Sequence, residues 1–216
     1  MRVKICGITS GRDAAMAVQA GADAIGMHFA PSPRKIDRSE AEQIISVLPP
    51  FAVAVGIFVN APLDWVREVA TGLHLGAVQL SGDESLEYVA ALAPLRAIKA
   101  VHVVGPESLE APSSWARGER PPNLAAILLD TFVAGQHGGT GRTFDWSLAA
   151  DLQRSSGAAL PMMLAGGLRP DNVAEAVRVV RPYAVDVSSG VEAEPGRKDP
   201  EKVKRFVAEA RRALDA

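Results

Sequence analysis

The 216-residue chain contains one cysteine, Cys6. No internal disulfide can form, which suits a reducing cytosol. The net charge is -2, and no basic patch stands out of the kind that neutralises a phosphate backbone, so nucleic acid is not an expected partner. No apolar run approaches the ~20 residues that cross a bilayer, so no membrane partner is expected. The first residues, Met1-Arg2-Val3-Lys4, enter a strand pattern at once and lack the apolar core of a signal peptide; a cytoplasmic location is expected. His74, His102 and His137 have no metal-ligand spacing, and no cysteine–histidine cluster exists, so no metal is expected. Low-complexity tracts and signs of a second domain are also missing.

What is present is a 48% hydrophobic chain of a length that α/β barrels often build as one core. Short apolar strands alternate with helical patterns throughout. Val3 to Cys6 and Ala22 to Phe29 read as strands, with a helix from Ser10 to Gln19 between them. Ser39 with Glu42 reads as a capping box ahead of Ala41, Ile44 and Ile45. Phe51 to Val59, Ala77 to Leu80, Ala97 to Val104, Leu124 to Leu129, Leu160 to Ala165 and Tyr183 to Val187 supply six more strands. Helical spacing follows each of them, ending with Val203, Phe206, Val207, Ala210 and Leu214. Strands that are apolar throughout imply a parallel sheet covered on both faces. Eight βα units imply a single (β/α)8 TIM barrel over residues 1–216, with an open doubly wound sheet as the alternative.

Candidate chemistry collects at the carboxyl ends of these strands, which share one face of a barrel and form its active site. Asp130 is the first charge after the run Leu124 to Leu129, and a glycine-rich loop, Gly135 to Arg142, follows it. Taken alone, a strand-end aspartate commonly caps the next turn; beside a glycine loop whose amides can close over an anion, it also suits a general acid. Cys6 ends the first strand, as a buried inert thiol or as a thiolate base. Arg34 sits in a loop stiffened by Pro31 and Pro33 and suits a carboxylate ligand. His28 lies within an apolar strand and reads as a packed or barrel-lining residue. Gly166-Gly167 and Ser188-Ser189-Gly190 follow the last two strands, where barrels often bind phosphate through backbone amides.

Taken together, these stretches resemble the phosphoribosylanthranilate isomerase family of tryptophan biosynthesis. The shared stretches are Lys4 to Thr9, Ser32-Pro33-Arg34, Val55 to Asn60, Val78-Gln79-Leu80, Leu128-Leu129-Asp130, Gly138 to Gly141 with Phe144-Asp145-Trp146, Ala165 to Leu168, and Val185 to Glu192. The resemblance implies a (β/α)8 barrel that uses no cofactor and no metal and rearranges a small phosphosugar substrate, as a monomer or homodimer. It implies Cys6 as general base, Asp130 as general acid and Arg34 on the anthranilate carboxylate. Gly139, Gly141, Gly166, Gly167, Asp186, Ser188, Ser189 and Gly190 complete the implied substrate-binding set. Ser81 stands where that family usually has histidine. The rival readings are a lysine-dependent indole-glycerol-phosphate synthase using Lys4 or Lys99, a dual-substrate isomerase, and a phosphate-binding barrel without catalysis.

Overall fold

The structure is a computed structural model that describes residues 1–131, 143–156 and 160–214. Eight parallel strands close into a barrel in chain order. They are β1 (Arg2–Ile5), β2 (Ala24–His28), β3 (Val53–Phe58), β4 (Ala77–Leu80), β5 (Ala97–Val103), β6 (Leu124–Thr131), β7 (Met162–Leu164) and β8 (Ala184–Val187). Between and after them run α1 (Gly11–Gln19), α2 (Arg38–Ser46), α3 (Leu63–Gly72), α4 (Leu86–Ala91), α5 (Glu110–Ala116), α6 (Trp146–Ser156), α7 (Val173–Val180) and α8 (Pro200–Arg212). The doubly wound alternative is therefore set aside, because β8 pairs with β1 from Arg2↔Ala184 to Ile5↔Val187.

Residue chemistry accounts for the helices. Ser10 accepts from the Asp13 amide at the start of α1, and Asp199 accepts from Glu201 and Lys202 at the start of α8. Val173, Ala176, Val177 and Val180 are the buried stripe of α7, and Val203, Phe206, Val207 and Ala210 that of α8. The capping box of α2 differs from the sequence expectation. It joins Asp37 and Glu40 rather than Ser39 and Glu42: the Asp37 side chain accepts from the Glu40 amide and the Glu40 side chain from the Asp37 amide, so the helix begins two residues earlier. A short antiparallel hairpin, β9 (Glu192–Glu194) with β10 (Arg197–Lys198), was not expected either. Trp115 is partly buried against the core.

Two cores result. One lies between sheet and helices, where Val3, Ile5, Ile25, Leu129, Val185 and Phe206 meet. The other fills the barrel, with Val55, Ile98, Leu128 and Met163 at its lower and middle levels. Strand alternation and register arrange the interior in layers contributed by alternate strands. Lys4, Val55, Ile98 and Met163 form one; Gly26, Gln79, Leu128 and Asp186 the next; then Cys6, Ile57, Ala100 and Ala165. The layer at the mouth is His28, Ser81, Asp130 and Ser188. Truncation of fully buried Phe206 to alanine is expected to destabilise the barrel by about 3–5 kcal/mol, read as a lower unfolding midpoint in denaturant.

Candidate active site

The uppermost interior layer turns polar and, with Cys6 from the layer below, opens into a pocket at the carboxyl ends of the strands. Cys6, Arg34, Asp130, Gly166, Gly167, Asp186, Ser188, Ser189 and Gly190 all line it. Residues named from five separate regions of the sequence are thus brought to one cavity. Gly139 and Gly141, with the rest of the loop from Gly135 to Arg142, lie outside the described residues.

The floor of the pocket is a buried ion pair. Lys4 Nζ, 1% exposed, donates to Asp186 Oδ1 at 2.8 Å and to Gln79 Oε1 at 3.0 Å. Burial works against the ammonium, but Asp186 and the neighbouring Cys6 sulfur hold its pKa above the ordinary lysine value. Gln79 in turn donates to Ser81 Oγ at 3.1 Å, which ties the floor to the mouth.

Cys6 stands one strand repeat above Lys4, on the same face of β1. Its sulfur rests where a Cβ on Gly26 would come within 2.8 Å, so only glycine at that position leaves it room. Burial pushes the thiol pKa up; the Lys4 and Lys198 charges oppose the rise, while Asp186 adds to it. His28 Nε2 lies 3.5 Å from the sulfur. That imidazole is held neutral, its pKa pushed down to about 3 by burial and by Lys4, Arg34 and Lys198.

Asp130 is set in the opposite wall. It is the penultimate residue of β6, so the strand runs one residue past it. Burial raises its pKa to about 6, against the His102, Thr131 amide and Lys4 contributions that favour the anion. The Thr131 amide donates to its Oδ1 at 2.8 Å. His102 is its partner on β5, and His102 Nε2 lies 3.3 Å from the Ser81 carbonyl oxygen. A carboxyl that titrates near 6 is suited to proton donation close to neutrality.

Arg34 enters from the loop after β2. Its Nε and one terminal nitrogen donate to the two oxygens of Glu192, both at 2.7 Å. That bidentate contact raises the guanidinium pKa, and Glu192 is held below its ordinary value by Arg34 and Lys198 in spite of burial. Lys198 Nζ donates to Glu192 Oε1 at 2.8 Å and to the Ser188 carbonyl at 3.2 Å. The unexpected hairpin therefore anchors Arg34 to the loop after β8. Gly7, at φ +71, lets the arginine stem lie across it; a Cβ there would sit 2.4 Å from Arg34 Cδ.

The remaining side of the pocket is backbone. Gly166 and Gly167 adopt φ of +82 and +64, a region that L side chains rarely enter. A Cβ on Gly190 would lie 1.9 Å from the Leu168 carbonyl oxygen, so the loops after β7 and β8 are in close contact. Ser188 Oγ is buried with no partner among the described residues. An unsatisfied hydroxyl beside two glycine loops is suited to an anion acceptor such as phosphate. Among the described residues, no group of three histidine, cysteine or acidic side chains is placed to hold a metal. Lys99 points out of the barrel, where it pairs with Glu84 at 3.1 Å, and Lys4 is committed to Asp186, so neither is placed as a reacting lysine.

The functional neighbourhood missed by sequence reasoning is Gln79, Glu192, Lys198 and the His28 contact with Cys6. Period-2 alternation from Cys6 would have pointed to Lys4, and from Asp130 to Leu128, but no local pattern signals Glu192.

Comparison with known proteins agrees with this geometry. Residues 3–209 match the family described as N-(5'-phosphoribosyl)anthranilate (PRA) isomerase. The chain belongs to that family. A relative of the same description from Citrifermentans bemidjiense is 51% identical over 98% of this chain and 97% of its own. The crystal structure of phosphoribosyl anthranilate isomerase from Thermotoga maritima superposes with a TM-score of 0.87 at 42% identity, covering 98% of each chain. A phosphoribosyl anthranilate isomerase crystallised with reduced 1-(o-carboxyphenylamino)-1-deoxyribulose 5-phosphate has a TM-score of 0.84 at 41% identity, again with 98% of each chain covered.

Replacing Lys4 with methionine leaves Asp186 buried without its counter-charge. A loss of about 3–5 kcal/mol is expected, and the double variant Lys4→Met/Asp186→Leu should recover part of it in the same denaturation assay.

Proposed function

We propose that the chain converts N-(5'-phosphoribosyl)anthranilate to 1-(2-carboxyphenylamino)-1-deoxyribulose 5-phosphate, the Amadori rearrangement of its family in tryptophan biosynthesis, with Asp130 as general acid and Cys6 as general base. The observation that carries this reading is the pairing of a carboxyl raised to about 6 with a thiol set beside a buried ammonium across one pocket. Asp130, in its neutral form, gives its proton to the furanose ring oxygen as the bond from C1 to that oxygen breaks. The product is an open-chain protonated Schiff base. Cys6, as thiolate, then takes the proton from C2. The electron pair released moves into the C1–C2 bond and neutralises the iminium nitrogen, giving an enolamine. Tautomerisation to the ketone leaves C1 reduced and C2 oxidised, with no external redox partner.

The binding roles follow from the same layout. The amides around Gly166, Gly167, Ser189 and Gly190, with Ser188 Oγ, receive the phosphate. Arg34 keeps one terminal nitrogen clear of Glu192 for the anthranilate carboxylate, and Asp186 acts through Lys4 at the floor. Remote phosphate binding contributes orientation at the reacting carbons. All of these groups come from one chain, so a monomer or a homodimer can carry a complete site. The single cysteine and the absence, among the described residues, of a helix long and apolar enough to cross a membrane support a cytoplasmic enzyme.

Asp130→Asn and Cys6→Ser are each expected to lower kcat by about 10²–10⁴-fold with the far-ultraviolet circular dichroism of the parent. The assay is loss of anthranilate fluorescence on mixing with freshly prepared substrate. Parent-like turnover in either variant removes that residue from the mechanism.

The pH dependence is a separate test. The reactive form has Asp130 protonated and Cys6 ionised. Asp130 titrates near 6 and Cys6 above the usual thiol value, so this form is a minor one at every pH. Its population rises up to about pH 6, is level between the two ionisations, and falls above the thiol pKa. The profile of kcat/KM should show that plateau; a steady decline from pH 6 to neutrality contradicts the ordering.

A further inference from the structure

We infer that His28 is a positioning residue for the general base: a neutral imidazole whose Nε2–H donates to the Cys6 sulfur and favours its thiolate form. The inference rests on the reading of Cys6 as base. His28 belongs to the mouth layer of the barrel, on the strand next to Cys6, and its Nε2 lies 3.5 Å from the sulfur, within hydrogen-bond reach of sulfur. Both partners are confined. The sulfur lies directly over Gly26. The His28 carbonyl accepts from the Ile36 amide at 2.9 Å, and the adjacent Phe29 amide donates to Ile57 at 3.0 Å.

Burial and charge together decide which form of the ring is present. The groups facing this contact are Lys4 on β1, Asp186 on β8, Lys198 on β10, Arg34 in the loop after β2, Glu192 on β9 and Asp130 on β6. Burial first, and then the three cations, act against an imidazolium, and the ring stays neutral across the range in which the thiol titrates. A thiolate–imidazolium pair is therefore not formed, and His28 does not take the proton from C2. A neutral imidazole still carries one N–H. With the sulfur ionised, the tautomer bearing that hydrogen on Nε2 forms a charge-assisted bond. The protonated thiol, a weak donor, gains much less. The contact thus lowers the free energy of the ionised sulfur relative to the thiol.

The chain's single cysteine makes this measurable without turnover. The ultraviolet absorbance of the thiolate and the pH dependence of iodoacetamide alkylation both report Cys6 alone. We would compare the parent with His28→Met, which keeps bulk without a donor, and His28→Gln, which keeps a side-chain N–H. His28→Met is expected to raise the apparent thiol pKa by about one unit, with His28→Gln closer to the parent. The plateau of kcat/KM in His28→Met should fall about tenfold and its alkaline limb should move up by about one unit, with KM little changed. An unchanged thiol titration in His28→Met overturns the inference and leaves His28 as packing. A lowered thiol pKa overturns it too, because the thiol would then be the donor. Lost turnover with an unchanged titration would make His28 act by another route and equally overturns it. Should His28→Met not fold by circular dichroism, His28→Leu takes its place. The thiol titration reads the contact whatever the base is, so it separates failure of this inference from failure of Cys6 as base.

Discussion

The ammonium of Lys4, enclosed at the level just below Cys6 and bonded to Asp186 and Gln79, is the interaction on which the rest of the site depends. A buried lysine carries a desolvation cost of several kcal/mol unless it is paired and hydrogen-bonded. Here its partners come from β4 and β8, so the pair also links strands on different sides of the barrel. Gln79 extends the link to Ser81, and Ser81 accepts contact from His102 beside Asp130. Polar contacts therefore run from Lys4 through Gln79 and Ser81 to His102 on β5, the strand beside that of Asp130. An apolar side chain at residue 4 would pack, but it would leave Asp186 charged in the barrel and remove the nearest positive charge to Cys6.

The barrel was legible in the sequence because its physics is local. Apolar runs of strand length, each followed by a period-3.6 stripe, can be covered on both faces only by a closed or doubly wound sheet. Cys6, Asp130 and the paired glycines were legible for the same reason: each sits where an apolar run stops. The parts that were not legible depend on contacts remote in the chain. Glu192 reads as an ordinary surface acid until the hairpin places it under Arg34, which is 158 positions away. His28 reads as filling because alternation alone does not say which interior neighbour it meets; register with β1 does. The α2 cap lies at Asp37 and Glu40, which have the same spacing as Ser39 and Glu42, so spacing alone does not choose between the two.

Arg34 illustrates how the chemistry of a residue depends on contacts remote in the chain. The residue lines the pocket, yet its fork is already filled by Glu192 rather than waiting for a ligand. The arrangement has a physical use. A guanidinium with both faces of its fork open would be mobile and hydrated, and ordering it would cost side-chain entropy on binding. Held by Glu192, and with Glu192 held by Lys198, it presents its remaining terminal nitrogen in a fixed direction. The Lys198 ammonium also reaches the Ser188 carbonyl, so the same anchor steadies the loop after β8.

With Asp130 as acid and Cys6 as base, as proposed, the cavity must favour a neutral carboxyl and limit the rise that burial imposes on the thiol. Uniform burial would raise both pKa values, which helps the acid and harms the base. The layers of the barrel separate the two requirements. Cys6 faces the side built from β1, β8 and the hairpin, where Lys4, Lys198 and Arg34 lie, while Asp130 rises from β6 among Ala100, Leu128 and Ala165, whose apolar surface supplies desolvation with little counter-charge. The cations stand on the base side, and the poorly solvated wall stands on the acid side. Because alternate strands fill each interior layer, the carboxyl on β6 and the thiol on β1 enter from separate sides of the mouth, and the local field can differ between them. Both pKa values stay above their ordinary values; the cations beside Cys6 oppose the rise there, while burial dominates at Asp130, a contrast that two neighbouring strands sharing one environment would not give.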